Sequence, residues 1–217
     1  MKKSIIFSLL FALGFSACAK TASDSYFSEQ PSSSKKEYEI FRKNIAVEFE
    51  NQTPKQWGDN VKGVKTKLFT NEKVIALTMD ACGSPLGMGY DEKLINFLEQ
   101  ENIPATLFIN ARWINKNLST LKKLSSNPLF EIANHGLEHK PASVNGKSIY
   151  GLNGTNSVEG LVDEIELNAR KIESITHKRP KYFRSGTAYY DEVAVSVANK
   201  LNHQVVGFSI LGDAGAT

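Results

Sequence analysis

Two histidines four residues apart, in His135-Gly136-Leu137-Glu138-His139, are the first residues of this 217-residue chain whose types and spacing offer chemistry. On a helical turn, positions i and i+4 share a face, so both imidazoles can reach one divalent metal through neutral ring nitrogens. They are two of only 4 histidines, and Asn134 and Pro141 flank them at the end of an apolar run, context that His177 and His203 lack. The latter two read as surface residues beside helix ends. Asp80, in Leu77-Thr78-Met79-Asp80-Ala81-Cys82-Gly83, follows a run without charge. Either it caps the next turn, or it is a carboxylate that takes a proton from an attacking water or ligates the metal itself. Cys82 is a soft ligand or, more commonly for the residue type, a small packed hydrophobe. Arg184, in Tyr182-Phe183-Arg184-Ser185-Gly186-Thr187, can hold a carboxylate bidentately while Gly186 lets backbone N–H groups approach an oxyanion. The structural alternative is an ion pair that only steadies a loop.

The elements around these residues alternate. Val74–Met79 is a short apolar run expected as a buried strand ending at Asp80, and Tyr90–Asn102 has helical spacing up to the break at Pro104. Residues 105–110 form a second strand, a helix is expected near Asn117–Ser125, and Leu129–Ala133 is a strand leading to His135. A long helix carries Val158, Leu161, Val162, Ile165, Ala169 and Ile172 on one face, with Asn156 and Glu159 at capping positions. Tyr182-Phe183 leads into Arg184, Asp191–Leu201 is amphipathic, and Gln204–Ile210 is a last strand ending near Asp213. Strands alternating with such helices predict a parallel α/β arrangement, barrel or open sheet. Asp80, His135, Arg184 and Asp213 each follow the C-terminal end of a predicted strand, the rim where α/β barrels gather their active sites.

Composition bounds the rest. With 26 Lys+Arg against 23 Asp+Glu and no long basic run, the electrostatic footprint of a nucleic-acid binder is missing. Residues 1–17 combine a basic start, a short apolar stretch and Ser16-Ala17, the pattern of an export signal too short to span a membrane. Phe15-Ser16-Ala17-Cys18 has the form of a bacterial lipobox, so Cys18 is expected to be lipidated and to tether an exported protein to a bacterial membrane, facing the periplasm or cell exterior. Ordinary cleavage near Ala17 is the alternative. Loss of Lys2 and Lys3 lowers the net charge from +3 to +1, so charge names no partner. Residues 18–37, Ser-rich and polar around Pro31, read as the lipidated Cys and a flexible tether. In the extension 38–72, Ile40, Phe41, Ile45, Val47 and Phe49 fit a strand pair or a short helix equally well. No internal repeat is visible.

Taken in order, Thr78-Met79-Asp80, His135-x-x-x-His139, Arg184 after Tyr-Phe, and Gly212-Asp213 resemble the first four motifs of the NodB-homology polysaccharide deacetylases, carbohydrate esterase family 4. The resemblance covers about residues 73–217. It implies a distorted (β/α) barrel and metal-dependent hydrolysis of N-acetyl groups from an amino-sugar polymer such as peptidoglycan or chitin, usually with zinc. On that pattern Asp80 is the general base, and His135 and His139 are metal ligands, with Asp80 as a further candidate ligand. Arg184 orients Asp80, Asp213 pairs with Arg184, and Thr187 and Tyr189 face the substrate, a backbone N–H near Thr187 polarising the acetyl carbonyl. Two departures stand out. The family's second motif-one Asp, normally the third metal ligand, is Ala81, so the site keeps two firm ligands unless Asp80, Cys82 or water completes it. The family's final Leu-x-His, whose His protonates the leaving amine, lies beyond Thr217, a loss worth roughly 10²–10⁴ in rate. Residues 38–217, about 180, fall short of the 200 or more usual for a complete barrel, so an incomplete one is expected. The leading expectation is a polysaccharide N-deacetylase at the cell envelope. The alternatives are a non-catalytic glycan-binding surface lipoprotein and a small-molecule amidohydrolase.

Overall fold

Each apolar run that ends in a polar residue becomes a strand, and the amphipathic segment after it becomes a helix covering the strand's outer side. A computed structural model describes residues 26–28, 31–85 and 87–212. The expected export signal, Cys18 and Asp213 lie outside the described residues. Five strands form one parallel sheet in chain order: β1 (Thr78–Ala81), β2 (Ala105–Ile109), β3 (Phe130–Asn134), β6 (Tyr182–Phe183) and β7 (Gln204–Val205). Between β3 and β6 the chain makes a small antiparallel pair, β4 (Ser148–Ile149) and β5 (Leu152–Asn153). Parallel neighbours taken in sequence order wind the chain one way round, as in an arc of a (β/α) barrel. A doubly wound sheet reverses its order midway. The expected α/β barrel-type architecture is therefore present, as a partial arc among the described residues.

Helices α2 (Glu92–Gln100), α3 (Ala111–Lys116) and α4 (Leu118–Ser126) cover one part of the sheet, packing Ile95, Leu98, Trp113, Ile114, Leu121 and Leu124 on Leu107 and Ile109. Strand alternation sends Phe108 the other way, into the concave side. A second cluster joins α5 (Val158–Val162) and α7 (Glu192–Lys200) to Phe183 and Val205. Helix starts are capped by short polar side chains, with Asp91 accepting from Leu94 N–H at 2.9 Å, Ser157 from Gly160 N–H at 3.0 Å and Asp191 from Ala194 N–H at 2.6 Å. Ser157, one residue from the expected Asn156, thus caps the long helix. That helix keeps its expected apolar face, but a π-helical turn, Asp163–Leu167, sits between α5 and α6 (Asn168–Thr176). No helix among the described residues is long and apolar enough to cross a membrane.

Four expectations are corrected. Ser32–Glu37, read as tether, belongs to α1 (Ser32–Phe49), and Phe27 is buried against Tyr38 and Leu167. The polar Ser-rich turns continue a helix anchored further on by Tyr38, Ile45 and Phe49. They are held also by Asp163, which accepts from the Tyr38 hydroxyl at 2.6 Å and from Arg42 at 2.8 Å. β1 starts at Thr78, leaving Val74 and Ile75 exposed, because β1 has no second neighbour among the described residues. The last strand stops at Val205, and Val206 instead bridges to Lys65 of the N-terminal extension. His203 is buried, whereas His177 does stand exposed at the end of α6.

His203 donates from Nδ1 to the Leu201 carbonyl (2.9 Å), its Nε2 lies 3.5 Å from the Asn134 amide, and burial pushes its pKa down to about 4. A histidine held neutral in the fold stabilises it above the unfolded pKa near 6.5, and that contribution disappears as pH falls through about 4. The shift corresponds to roughly 3 kcal/mol. The urea midpoint should therefore fall between pH 6.5 and 4, and His203→Gln should make the fall shallower. An equal slope in the variant would assign the acid sensitivity elsewhere.

Candidate functional site

The site lies at the C-terminal ends of β1, β3 and β6. Alternation along the first strand sets its composition: Leu77, Met79 and Ala81 pack into the apolar cluster beneath α2–α4, so Thr78, Asp80 and Cys82 face the concave side. Arg184, just after β6, is 2% exposed and reaches back across the sheet to them. Its Nη1 donates to Asp80 Oδ1 at 2.7 Å and its Nη2 to Thr78 Oγ1 at 2.9 Å and the Gly207 carbonyl at 3.0 Å, while Nε donates to the Val206 carbonyl at 3.1 Å. The guanidinium lies 4.2 Å from the Phe108 ring centroid. A flat cation with directional donors and a polarisable face suits such a mixed lining.

His135 and His139 meet, though not on a helical turn. Residues 135–140 are a loop in which Gly136 (φ 79°) and His139 (φ 60°) are left-handed, and the imidazoles stand edge to face with centroids 4.8 Å apart. Any side chain at Gly136 would collide with the Glu164 carboxylate. This buried carboxylate, in the π-helical turn, accepts from Glu138 N–H at 2.9 Å and from Lys140 N–H at 3.1 Å, and the Glu164 carbonyl accepts from Leu137 N–H at 2.9 Å. Burial raises its pKa to about 7. Asn110 donates to the carbonyls of His135 (3.1 Å) and Gly136 (2.7 Å), and Asn134 accepts from Gly136 N–H at 2.9 Å. The loop backbone is thus hydrogen-bonded from three elements.

His135, 1% exposed, donates from Nδ1 to the Arg184 carbonyl at 2.9 Å, which leaves Nε2 as a lone pair facing Cys82 Sγ at 3.7 Å and Asp80 Oδ2 at 3.9 Å. Burial lowers the pKa of His135, and burial together with His135 and Arg112 lowers that of His139 to about 3, so both rings are neutral donors of lone pairs. His139 Nε2 is buried with no hydrogen-bond partner. One ligand atom each from Cys82, His135 and His139 lies within 4.8 Å of the others. A buried orphan nitrogen beside a second lone pair and a sulfur is a donor set that a divalent transition metal fits.

The structure therefore brings Asp80, His135, His139 and Arg184 together; Asp213, the fourth residue expected at a strand end, lies outside the described residues. Thr187 follows in the Arg184 loop with its Oγ1 buried and unpartnered, and Gly186 lies so close to the His139 backbone that no side chain fits there. Tyr189 and Trp57, both half-buried, form an aromatic group with the exposed Tyr150, with ring centroids 5.8 Å apart for Tyr189–Trp57 and 5.7 Å for Tyr189–Tyr150. Trp57, Tyr150, Glu164, Asn110 and Asn134 were not read as site residues. Period-two alternation from Thr78 was the signal that sets Cys82, rather than Ala81, beside Asp80.

The site is thus a partial parallel (β/α) arc whose strand ends carry a carboxylate held by arginine beside two neutral histidines. Residues 67–206 match the model of the polysaccharide deacetylase family, and the chain belongs to that family. Among solved structures it is similar to a family 4 carbohydrate esterase from Bacillus anthracis (23% identity, TM-score 0.57, covering 72% of this chain and 73% of that one). PdaA of Bacillus subtilis, a family 4 carbohydrate esterase, matches at 21% identity and TM-score 0.55, covering 71% and 60%. A family 4 pseudoenzyme from Bacillus anthracis matches at 22% and 0.51, covering 63% of this chain but only 43% of that one. The chain thus spans less than half the length of this last structure. A comparison with curated protein sequences finds no match.

Glu164→Gln keeps the shape of the side chain but offers one oxygen to two backbone N–H groups. The urea midpoint at pH 7 should drop by the equivalent of about 1–3 kcal/mol. An unchanged midpoint would show that the His135–His139 loop does not depend on this carboxylate.

Proposed function

We propose that this chain is a metal-dependent polysaccharide N-deacetylase that removes acetyl groups from an amino-sugar polymer, of the peptidoglycan or chitin type, at the cell envelope. Export through residues 1–17 and a lipid anchor at Cys18 are part of this reading, as is zinc as the metal. The observation that carries it is the convergence of Asp80, His135, His139 and Arg184 from three strand ends.

His135 and His139, neutral through burial, would hold the metal. When bound, it would supply Lewis acidity toward the attacking water and the acetyl carbonyl. The chain does the rest. Asp80, partly open to solvent, takes the proton of the attacking water with Oδ2, while Arg184 fixes Oδ1 and orients the carboxylate. As water oxygen bonds to the carbonyl carbon, charge collects on the carbonyl oxygen. The Thr187 loop, held near His139 through Gly186, stands where a backbone N–H can receive that charge. The C–N bond then breaks as the amine nitrogen takes up the proton held on Asp80, and acetate leaves, its own proton passing to solvent. Tyr189 and Trp57, half-buried, and the exposed Tyr150 present rings on which a sugar face can stack, with two phenolic hydroxyls to bond its rim. Asp213 is assigned to the Arg184 side on the family pattern alone.

A second reading is a non-catalytic glycan-binding surface lipoprotein. It is favoured by Ala81 in place of the family's second acidic residue, and one of the similar structures is itself a family 4 pseudoenzyme. Acetate release from N-acetylated glycan separates the two. Chelator should abolish it, metal should restore it, and Asp80→Asn should lower it by roughly 10²–10⁴-fold. Release that ignores the chelator, or no release from the wild type, refutes the enzyme. Tyr189→Ala should raise KM for oligomers several-fold while leaving kcat within about twofold. A loss confined to kcat would remove the stacking role.

A further inference from the structure

We propose that Cys82 is the third protein ligand of the metal, so that one thiolate and two imidazoles hold the ion and Asp80 is left to its proton and to Arg184. This rests on the metal-dependent reading above and names the donor set behind it.

Three observations converge. First, the strand's alternation turns Ala81 into the apolar cluster with Leu77 and Met79, away from the histidines. After Asp80, the next side chain on the site face is Cys82, and the turn that follows is fixed. Gly83 (φ 67°) donates to the Gly87 carbonyl at 3.1 Å, and a Cβ at Gly83 would come within 2.5 Å of the Trp113 backbone nitrogen in α3. Second, the spacing suits a shared ion. Tetrahedral bonds of about 2.0–2.3 Å put ligand atoms roughly 3.3–3.8 Å apart, and Cys82 Sγ lies 3.7 Å from His135 Nε2. Third, the histidines are already set as ligands. His135 is fixed in one tautomer by the Arg184 carbonyl, with its lone pair toward the sulfur. His139 Nε2 is buried without a partner.

Asp80 is a poorer candidate for the same place. One of its oxygens is engaged by Arg184 at 2.7 Å, and it does not belong to the group whose ligand atoms all lie within 4.8 Å of one another. A thiolate supplies the same single negative charge as the carboxylate it would stand in for, but it is soft. It therefore selects zinc or cobalt(II) over magnesium, calcium or manganese.

Cobalt(II) titrated into the metal-stripped full-length protein tests this without reference to turnover. The wild type should show a sulfur-to-cobalt charge-transfer band in the near ultraviolet. Cys82→Ser should lose the band and bind cobalt(II) about 10²-fold more weakly, Cys82→Asp should bind without the band, and Asp80→Asn should keep both band and affinity. Circular dichroism confirms that each variant is folded. Binding without the band in the wild type, or loss of binding in Asp80→Asn with Cys82→Ser unaffected, overturns the proposal in favour of a carboxylate ligand. No cobalt(II) binding by the folded wild type overturns both this proposal and the metal-dependent reading. The band with no acetate released leaves Cys82 as the ligand and removes only the deacetylase.

Discussion

The guanidinium of Arg184 is the interaction on which the rest of the molecule depends. It starts from the end of β6, crosses the concave side of the sheet above Phe108, and binds Thr78 and Asp80 on β1. It also binds the carbonyls of Val206 and Gly207, immediately after β7. Strands β1 and β7 are the two edges of the five-stranded sheet, so one side chain ties its extremes together through the inside. A flat sheet would not allow this reach, and the curl of a barrel does. The arginine thereby converts curvature into a fixed place for a carboxylate.

The loop bearing the two histidines is held by a different device. A non-glycine residue held left-handed costs conformational energy, and this loop has one in His139. The opposing contribution comes from buried polar groups with complete partners: Asn110 and Asn134 at strand ends, and Glu164 in the π-helical turn. Widening the helix at Asp163–Leu167 lets adjacent acidic residues serve separate clients. Asp163 faces Tyr38 and Arg42 of α1, Glu164 faces the histidine loop, and Glu166 binds Arg170 and Arg179. A regular α-helix would distribute these side chains differently, and a helical irregularity at a functional loop is a frequent use of the π turn.

Much of this was legible in the sequence because it was local. The apolar runs of β2 and β3, the amphipathic faces after them, and the polar residues at strand ends follow from periodicity alone, and they located Asp80, His135 and Arg184. What was illegible depended on distant partners. Helix α1 has a weak periodic signal and takes its order from Asp163, 125 residues beyond Tyr38. Val74 and Ile75 read as strand because β propensity cannot report the absence of a neighbour. His203 gives no hint of burial until β7 and α7 are packed around it. The histidine spacing suggested a helical turn, whereas Gly136 and the carboxylate beneath it impose a loop that reaches the same juxtaposition by another route.

Arg184 has a double attachment that bears on precision under thermal motion. Its guanidinium holds Asp80, and its own main-chain carbonyl accepts from His135 Nδ1. The proton acceptor and the first imidazole are therefore referenced to a single residue, like two instruments bolted to one plate. Each group also has its own support, Asp80 on β1 and His135 after β3, so the shared residue couples two separately held positions rather than carrying both.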